Sequence, residues 1–432
     1  MKMQFKTIIL NIMLSCFCGT VFPQETGEKV LRLTLKEAQD YALQHNRTVW
    51  NAGLSVSEAQ KKTWETISAG LPQVSASVTY QNMMGFKMEF AGLSIPLPPT
   101  SNFQATVSQL LFNGSYWVGI KMSKMGEEIS ETARLQAELD VKQQTQSAFH
   151  TVLIAEKNKN ILEQNLKNIQ TLAQKTEDMV RIGVAEQTDA DRMKIQVVTI
   201  TNAITMVERS IELAYNLLRF HLGVDTSTGI ELTQTLEDLM AATDTQQTLL
   251  KEFDLNENYN MQLMEGQIDI ADMMINLERA ASLPTVAAFY SYTYKIAKST
   301  FDMSPNNIIG LQASIPIFAS GQRHVRTQQA KINLEKAQNT KALLTDQLLM
   351  QEKQLRFNLK NAVETFDLQK EAVDVSQRVF ESVSRKFQQG TASSLDVTVA
   401  SSDLLQAQTN YINAMMQVFS AQIELEKLLN TL

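Results

Sequence analysis

Four histidines, His45, His150, His221 and His324, are the first candidates for chemistry, since imidazole can ligate a metal or move a proton near neutral pH. Their placement argues against both roles. Each falls on a different element, and no pair has the spacing of a metal centre. No nucleophile elbow or phosphate-cradling loop occurs. Aspartate and glutamate number 46, as solvated helix faces require, and no pair of them is set apart. These residues point to a protein that is not an enzyme and holds no cofactor or metal. A net charge of -7 supplies no basic footprint, so nucleic acid is not an expected partner.

Two short stretches remain conspicuous. "GVAEQTD" runs from Gly183 to Asp189, and "GTASSLD" runs from Gly390 to Asp396. Both ends of the pair are offset by 207 residues. In each, a glycine follows a long helical pattern, as a left-handed C-cap would before the chain reverses. In each, an aspartate falls in the first turn of the next helix, where the helix dipole favours a carboxylate. Thr188–Asp191 and Ser393–Asp396 also resemble capping boxes with Asp in place of Glu.

The elements that position these turns are themselves repeated. "LPQVSASVTY" (Leu71 to Tyr80) returns as "LPTVAAFYSY" (Leu283 to Tyr292), and Asn46 and Asn258 share the same offset of 212. "SQLLFNG" (Ser108 to Gly114) answers "SIPIFASG" (Ser314 to Gly321). Landmarks recurring in one order indicate a tandem duplication, roughly 34–222 and 255–432. The expected organisation is a first repeat over 25–222, with strands about 72–82 and 102–112 and a tip turn about 182–188. A linker or equatorial segment follows over 223–254. The second repeat spans 255–432, with strands about 285–295 and 308–318 and a tip turn about 389–394.

Each half reads as a helix (35–68 or 255–282), two strands, a very long helix (115–181 or 320–388) and a return helix (190–222 or 395–431). The first return helix carries Val197, Ile200, Ile204, Val207, Ile211, Ala214 and Leu218 at alternating spacings of three and four, a coiled-coil seam. A helix over 115–181 is about 100 Å long. The two shorter helices of the same half add to that length, so each repeat is expected to be a rod with strands at one end and the glycine turn at the other.

The strands alternate. Val74, Ala76, Val78 and Tyr80 face one way and Gln73, Ser75, Ser77 and Thr79 the other. Val286, Ala288, Tyr290, Tyr292 and Tyr294 repeat the pattern, as do Phe103, Ala105, Val107 and Leu111, and then Ile309, Leu311, Ala313, Ile315 and Ile317. Ten residues of this kind match a tilted membrane-spanning strand. Four strands alone leave two open edges, which lipid does not tolerate. The sheet must therefore close with strands from other copies; three copies would supply twelve. A secreted coiled-coil scaffold or surface receptor is the competing reading, and it leaves the lipid-length strands unexplained.

The N-terminus, "MKMQFKTIILNIMLSCFCGTVFPQE", has two lysines, an apolar run and a polar shift, the layout of a secretory signal peptide over 1–24. Both cysteines, Cys16 and Cys18, lie within it, so neither a disulfide nor a thiolate metal site is expected beyond it. Removal of the segment and acylation at Cys16 both stay open.

Taken together these residues resemble the TolC-like outer membrane efflux protein family. The resemblance rests on "LTLKEAQDYALQHN" (Leu33 to Asn46), on Leu71, Pro72, Val74, Ser77 and Tyr80, on Ser314 to Phe318 with Gly321, and on Phe387 with Gly390 to Val397. It implies a mainly α protomer of two helix–strand–strand–helix repeats. As a homotrimer it would form a twelve-stranded β-barrel in the outer membrane of a Gram-negative bacterium, continuing into a long α-helical barrel across the periplasm. Such a duct serves tripartite efflux or type I secretion, meeting a periplasmic adaptor protein and an inner-membrane RND or ABC-type pump. Carried over residue by residue, Ile182, Gly183, Val184 and Ala185 match one adaptor-docking tip, and Gly390, Thr391, Ala392 and Ser393 the other. Asp189 and Asp396 match acidic positions near the tunnel constriction, where threefold symmetry would gather like charges that repel or trap a cation. Ala392 and Val399 depart from the basic and acidic residues that some members carry there, which puts the family's latch in doubt.

Overall fold

The computed structural model describes residues 30–90, 92–96, 98–242, 245–297 and 304–432. The expected signal segment 1–24, with Cys16 and Cys18, lies outside the described residues. The chain begins with β1 (Leu31–Leu33), α1 (Leu35–His45), α2 (Arg47–Ser68) and β2 (Gln73–Gln81). A small hairpin, β3 (Lys87–Phe90) and β4 (Leu93–Pro96), precedes β5 (Thr100–Asn113), α3 (Gly114–Arg181) and α4 (Gln187–Leu222). A connecting stretch holds β6 (Ile230–Leu232), α5 (Leu236–Ala242), α6 (Thr245–Leu250) and a 3-10 turn at Leu255–Glu257. Then follow α7 (Tyr259–Ala280), β7 (Thr285–Ala297), β8 (Asn307–Ser314), α8 (Gln322–Gln388) and α9 (Ser394–Leu428).

The 68 residues of α3 make a rod of about 100 Å. Near the strands α2 lies against it, with the Tyr116 hydroxyl donating to the Ile67 carbonyl at 2.9 Å. Toward the far end α4 takes over, with Lys159 paired to Glu208 at 2.9 Å. α7 and α9 flank α8 in the same way, and α3 also touches α7 and α9. The expected seam is the packed face of α4: Ile200, Ala214 and Leu218 are buried, and Val197 and Ile204 are half-buried. One core lies midway along the rod, around Phe149, Leu153, Leu218 and Phe419, and another lies at its far end.

A single helix over 35–68 is not what forms. The chain breaks at Asn46, whose backbone is extended and whose carboxamide has two other tasks. Its oxygen accepts from the Thr48 amide at 2.7 Å, capping α2, and its nitrogen donates to the His221 carbonyl at 2.7 Å. Asn258 does the same before α7, accepting from the Asn260 amide at 3.0 Å and donating to the Leu428 carbonyl at 3.2 Å. Each asparagine thus starts one helix and ties down the last turn of that repeat's return helix.

The stretch 223–254, expected as a linker or equatorial segment, holds a strand and two short helices. β6 pairs in parallel with β1, closing the two ends of the first half on each other. Arg356 of α8 donates to the carbonyls of Leu249 and Lys251 and to Glu352, fastening α6 to the rod.

The four long strands form one antiparallel sheet in the order β2–β5–β7–β8. Register sets Val74, Val107, Tyr290 and Ile309 in one row across it, and Ser75, Thr106, Ser291 and Ile308 in the next. The sheet therefore has an apolar face, and a second face that is polar over most of its rows. Along β7 the apolar Tyr290, Tyr292 and Tyr294 are exposed, whereas Ser291 is buried and bonded to Gln104 at 2.7 Å. A bulge between Leu110 and Phe112 leaves Leu111 out of the pairing. β8 ends at Ser314, short of the expected 318, because Ser314 pairs with Thr285, the first residue of β7 after Pro284, and no partner strand continues beyond it. Both outer strands, β2 and β8, have an unpaired edge among the described residues of this chain.

Candidate functional site

The far end of the rod is built from two helix-to-helix turns of the same design. At the end of α3, the Gly183 amide donates to the Val180 carbonyl at 3.0 Å and the Val184 amide to Met179 at 2.8 Å. At the end of α8, the Gly390 amide donates to Phe387 at 2.9 Å and the Thr391 amide to Lys386 at 2.9 Å. This double bond pattern demands a left-handed residue at its centre, and both glycines supply it, with φ of 77° and 75°. A Cβ at either glycine would meet no neighbouring atom within 4 Å, so the backbone, not crowding, selects glycine. Ile182 and Val184 stand out from the first turn, the former 72% exposed. Ala185 is half-buried, Thr391 and Ser393 are exposed, and Ala392 packs against the core below.

Beneath the turns, Met193 and Ile200 of α4 meet Val397, Ala400 and Leu404 of α9, with Phe380 and Phe387 of α8 and Ile169 and Leu172 of α3 alongside. This cluster holds the two turns side by side. It needs apolar residues from four helices at once, which is why the coiled-coil spacing continues to the tip.

The two acids that sequence reasoning treated as equivalent behave differently. Asp396 stays local: its carboxylate accepts from the Ser393 amide at 2.8 Å and from the Ser393 hydroxyl at 2.8 Å. The amide bond first, and the hydroxyl second, hold its pKa below the ordinary carboxylate value. Ser393–Asp396 is thus the capping box expected there. Asp189 faces the other turn. Its Oδ2 accepts from the Glu186 amide at 3.2 Å, and its Oδ1 accepts the hydroxyl proton of Ser394. The box in the first turn is therefore framed by Glu186 and Asp189, not by Thr188 and Asp191; α4 starts too early for the latter.

Ser394 is the residue that sequence reading missed. It is 1% exposed, and its partner lies 205 residues away. Its position in the first repeat is held by Gln187, which turns instead to Asp191 at 3.1 Å. Val399, where some family members carry an acid, is exposed. Among the described residues no group of His, Cys, Asp or Glu is placed to hold a metal, and no helix is long and apolar enough to cross a membrane.

Comparison with known proteins places this architecture. The sequence profile described as outer membrane efflux protein matches residues 39–224 and 254–431. The chain is similar to the outer membrane protein TolC of Vibrio cholerae serotype O1, 21% identical over 391 residues that cover 88% of this chain and 87% of that one. In structure it is similar to CusC, with a TM-score of 0.76 at 16% identity over 91% of both chains. It is also similar to the outer membrane protein VceC of Vibrio cholerae, with a TM-score of 0.73 at 16% identity over 91% of this chain and 95% of that one.

Proposed function

The chain belongs to the outer membrane efflux protein family, with its helical part in the periplasm, and from that premise we propose that it is the exit duct of a tripartite efflux or type I secretion system. The observation that carries this reading is the four-stranded sheet at one end of a rod about 100 Å long. One of its faces carries exposed apolar rows, and both its outer edges are unpaired among the described residues. Open edges are not viable in lipid, so the sheet closes with other copies. Three protomers give a twelve-stranded barrel in outer-membrane lipid, with the apolar face outward and the polar face, around Gln104, Thr106 and Ser291, lining the lumen.

If the strands sit in the outer membrane, the turns at Gly183 and Gly390 reach deep into the periplasm. There they meet a periplasmic adaptor that couples the duct to an inner-membrane RND or ABC-type pump. Ile182 to Ala185 and Gly390 to Ser393 form the docking surface, and Asp189 and Asp396 lie near the constriction. The cargo is a small molecule or a polypeptide. A soluble scaffold would have no use for exposed tyrosine and isoleucine rows at one end of the rod.

Native mass spectrometry of the detergent-extracted protein tests the assembly. Three copies are expected. A stable monomer that keeps a folded sheet would refute it.

A further inference from the structure

The loop from residue 82 to 99 joins β2 to β5 at the end of the sheet away from the helices, and its composition is unusual for a loop bathed in water. Eight of its 18 residues are large and apolar, and only Lys87 and Glu89 are charged. The other loop at that end, 298–306, has two large apolar residues, Phe301 and Met303. Within the first loop Met83, Met84, Phe86 and Met88 are all exposed, Met84 at 93%. Among the described residues nothing covers them.

The loop is also ordered by position. After a turn at Met84 and Gly85, both with positive φ, β3 and β4 pair so that Met88 opposes Ile95 and Phe90 opposes Leu93. These pairs alternate with Lys87–Pro96 and Glu89–Ser94. Along β3 the exposed Met88 alternates with Lys87 and Glu89, so period-two geometry sets this apolar side apart from the two charges.

We propose that this hairpin is a lipid-binding element that folds outward and rests its apolar side on the outer leaflet of the membrane that holds the barrel. The proposal rests on the reading above that the sheet's apolar face meets lipid. Continuity carries it: the loop departs from a strand whose exposed Val74, Val78 and Tyr80 form that face. Folding the other way would set Met88 over the polar side of the sheet, where Thr79 pairs with Asn102. An amphipathic element beside a membrane instead places its apolar side at the boundary between headgroups and acyl chains, with its charges in water.

Single cysteines introduced by Met88→Cys, Glu89→Cys and Val78→Cys, in a chain also carrying Cys16→Ser and Cys18→Ser, can each bear an environment-sensitive fluorophore. The labelled full chain is reconstituted in phosphatidylcholine–phosphatidylglycerol vesicles with and without brominated phosphatidylcholine. The probe at position 88 should be blue-shifted and lose emission to the brominated lipid, as the probe at 78 does, while the probe at 89 stays red-shifted and unquenched. Quenching at 78 but not at 88 would overturn the hairpin proposal and leave the barrel reading intact. A blue-shifted probe at 88 that brominated lipid does not quench would also overturn it, by placing the apolar side against protein over the exit. Absence of quenching at 78 and 88 alike would remove the barrel reading and the proposal with it.

Discussion

Ser394 donates its hydroxyl to the carboxylate of Asp189, a hydrogen bond that joins the two tip turns across 205 residues of chain. Each turn is otherwise closed on itself, so this bond and the apolar cluster below it are what relate one turn to the other.

Ser394→Ala should loosen that relation without unfolding the rod. A hydrogen bond to a charged group contributes about 1.5–3 kcal/mol, which corresponds to amide exchange faster by roughly tenfold or more in the first turns of α4 and α9. Hydrogen exchange read by mass spectrometry checks this. Unchanged protection at both turns would mean that the apolar cluster alone sets their positions.

Gly390→Val addresses the docking surface. A β-branched residue in the left-handed region is penalised by about 1–2 kcal/mol, and the new side chain would project into open space. The variant should still assemble in the outer membrane, yet lose export and cross-linking to the adaptor. Normal export with undiminished cross-linking would reduce the glycine to a helix cap.

Charge on the two faces of the sheet should be tolerated unequally. Val78→Lys or Tyr290→Lys places an ammonium on the apolar face, at a cost of about 2–4 kcal/mol near the bilayer midplane. Ser77→Lys, one residue along β2 and on the polar face, should cost far less. The comparison is read from the thermal stability of the assembled protein in detergent or lipid. Equal losses would contradict the assignment of the faces.

His150 predicts a pH dependence. The ring is buried against Phe419, with centroids 4.3 Å apart, and its Nδ1 has no hydrogen-bond partner among the described residues. Burial lowers its pKa to about 4 from an ordinary value of 6.5. A base whose folded pKa is depressed binds fewer protons folded than unfolded between those values. Its neutral state therefore supports the fold fully above about pH 6.5, and support is lost as pH falls from there toward 4. The loss is about 3 kcal/mol at its limit. Thermal unfolding between pH 4 and 7 should show this slope in the wild-type protein and a shallower one in His150→Leu. Parallel curves would show that other groups carry the acid sensitivity.

The order of the long helices and of the four long strands was legible in the chain because its signals are local. Alternation from Val74 to Tyr80, the Leu-Pro stops, the three-four spacing of α4 and the glycines at 183 and 390 each act over a few residues. The break at Asn46 was not legible, although an asparagine at a helix start is a familiar signal, because only the His221 carbonyl, 175 residues on, gives its amide nitrogen a partner. The same distance hid the pairing of β1 with β6 and the strand order β2–β5–β7–β8. Asp189 and Asp396 look alike in sequence because each lies six residues after a glycine, in the first turn of its helix. Tertiary packing separates them, since bringing α9 beside α4 puts Ser394 within reach of Asp189 and gives Asp396 nothing equivalent. Local hydrogen bonding and periodicity are written in adjacent residues, whereas a buried polar contact depends on which distant surfaces meet, and that is settled only when the apolar seams have packed.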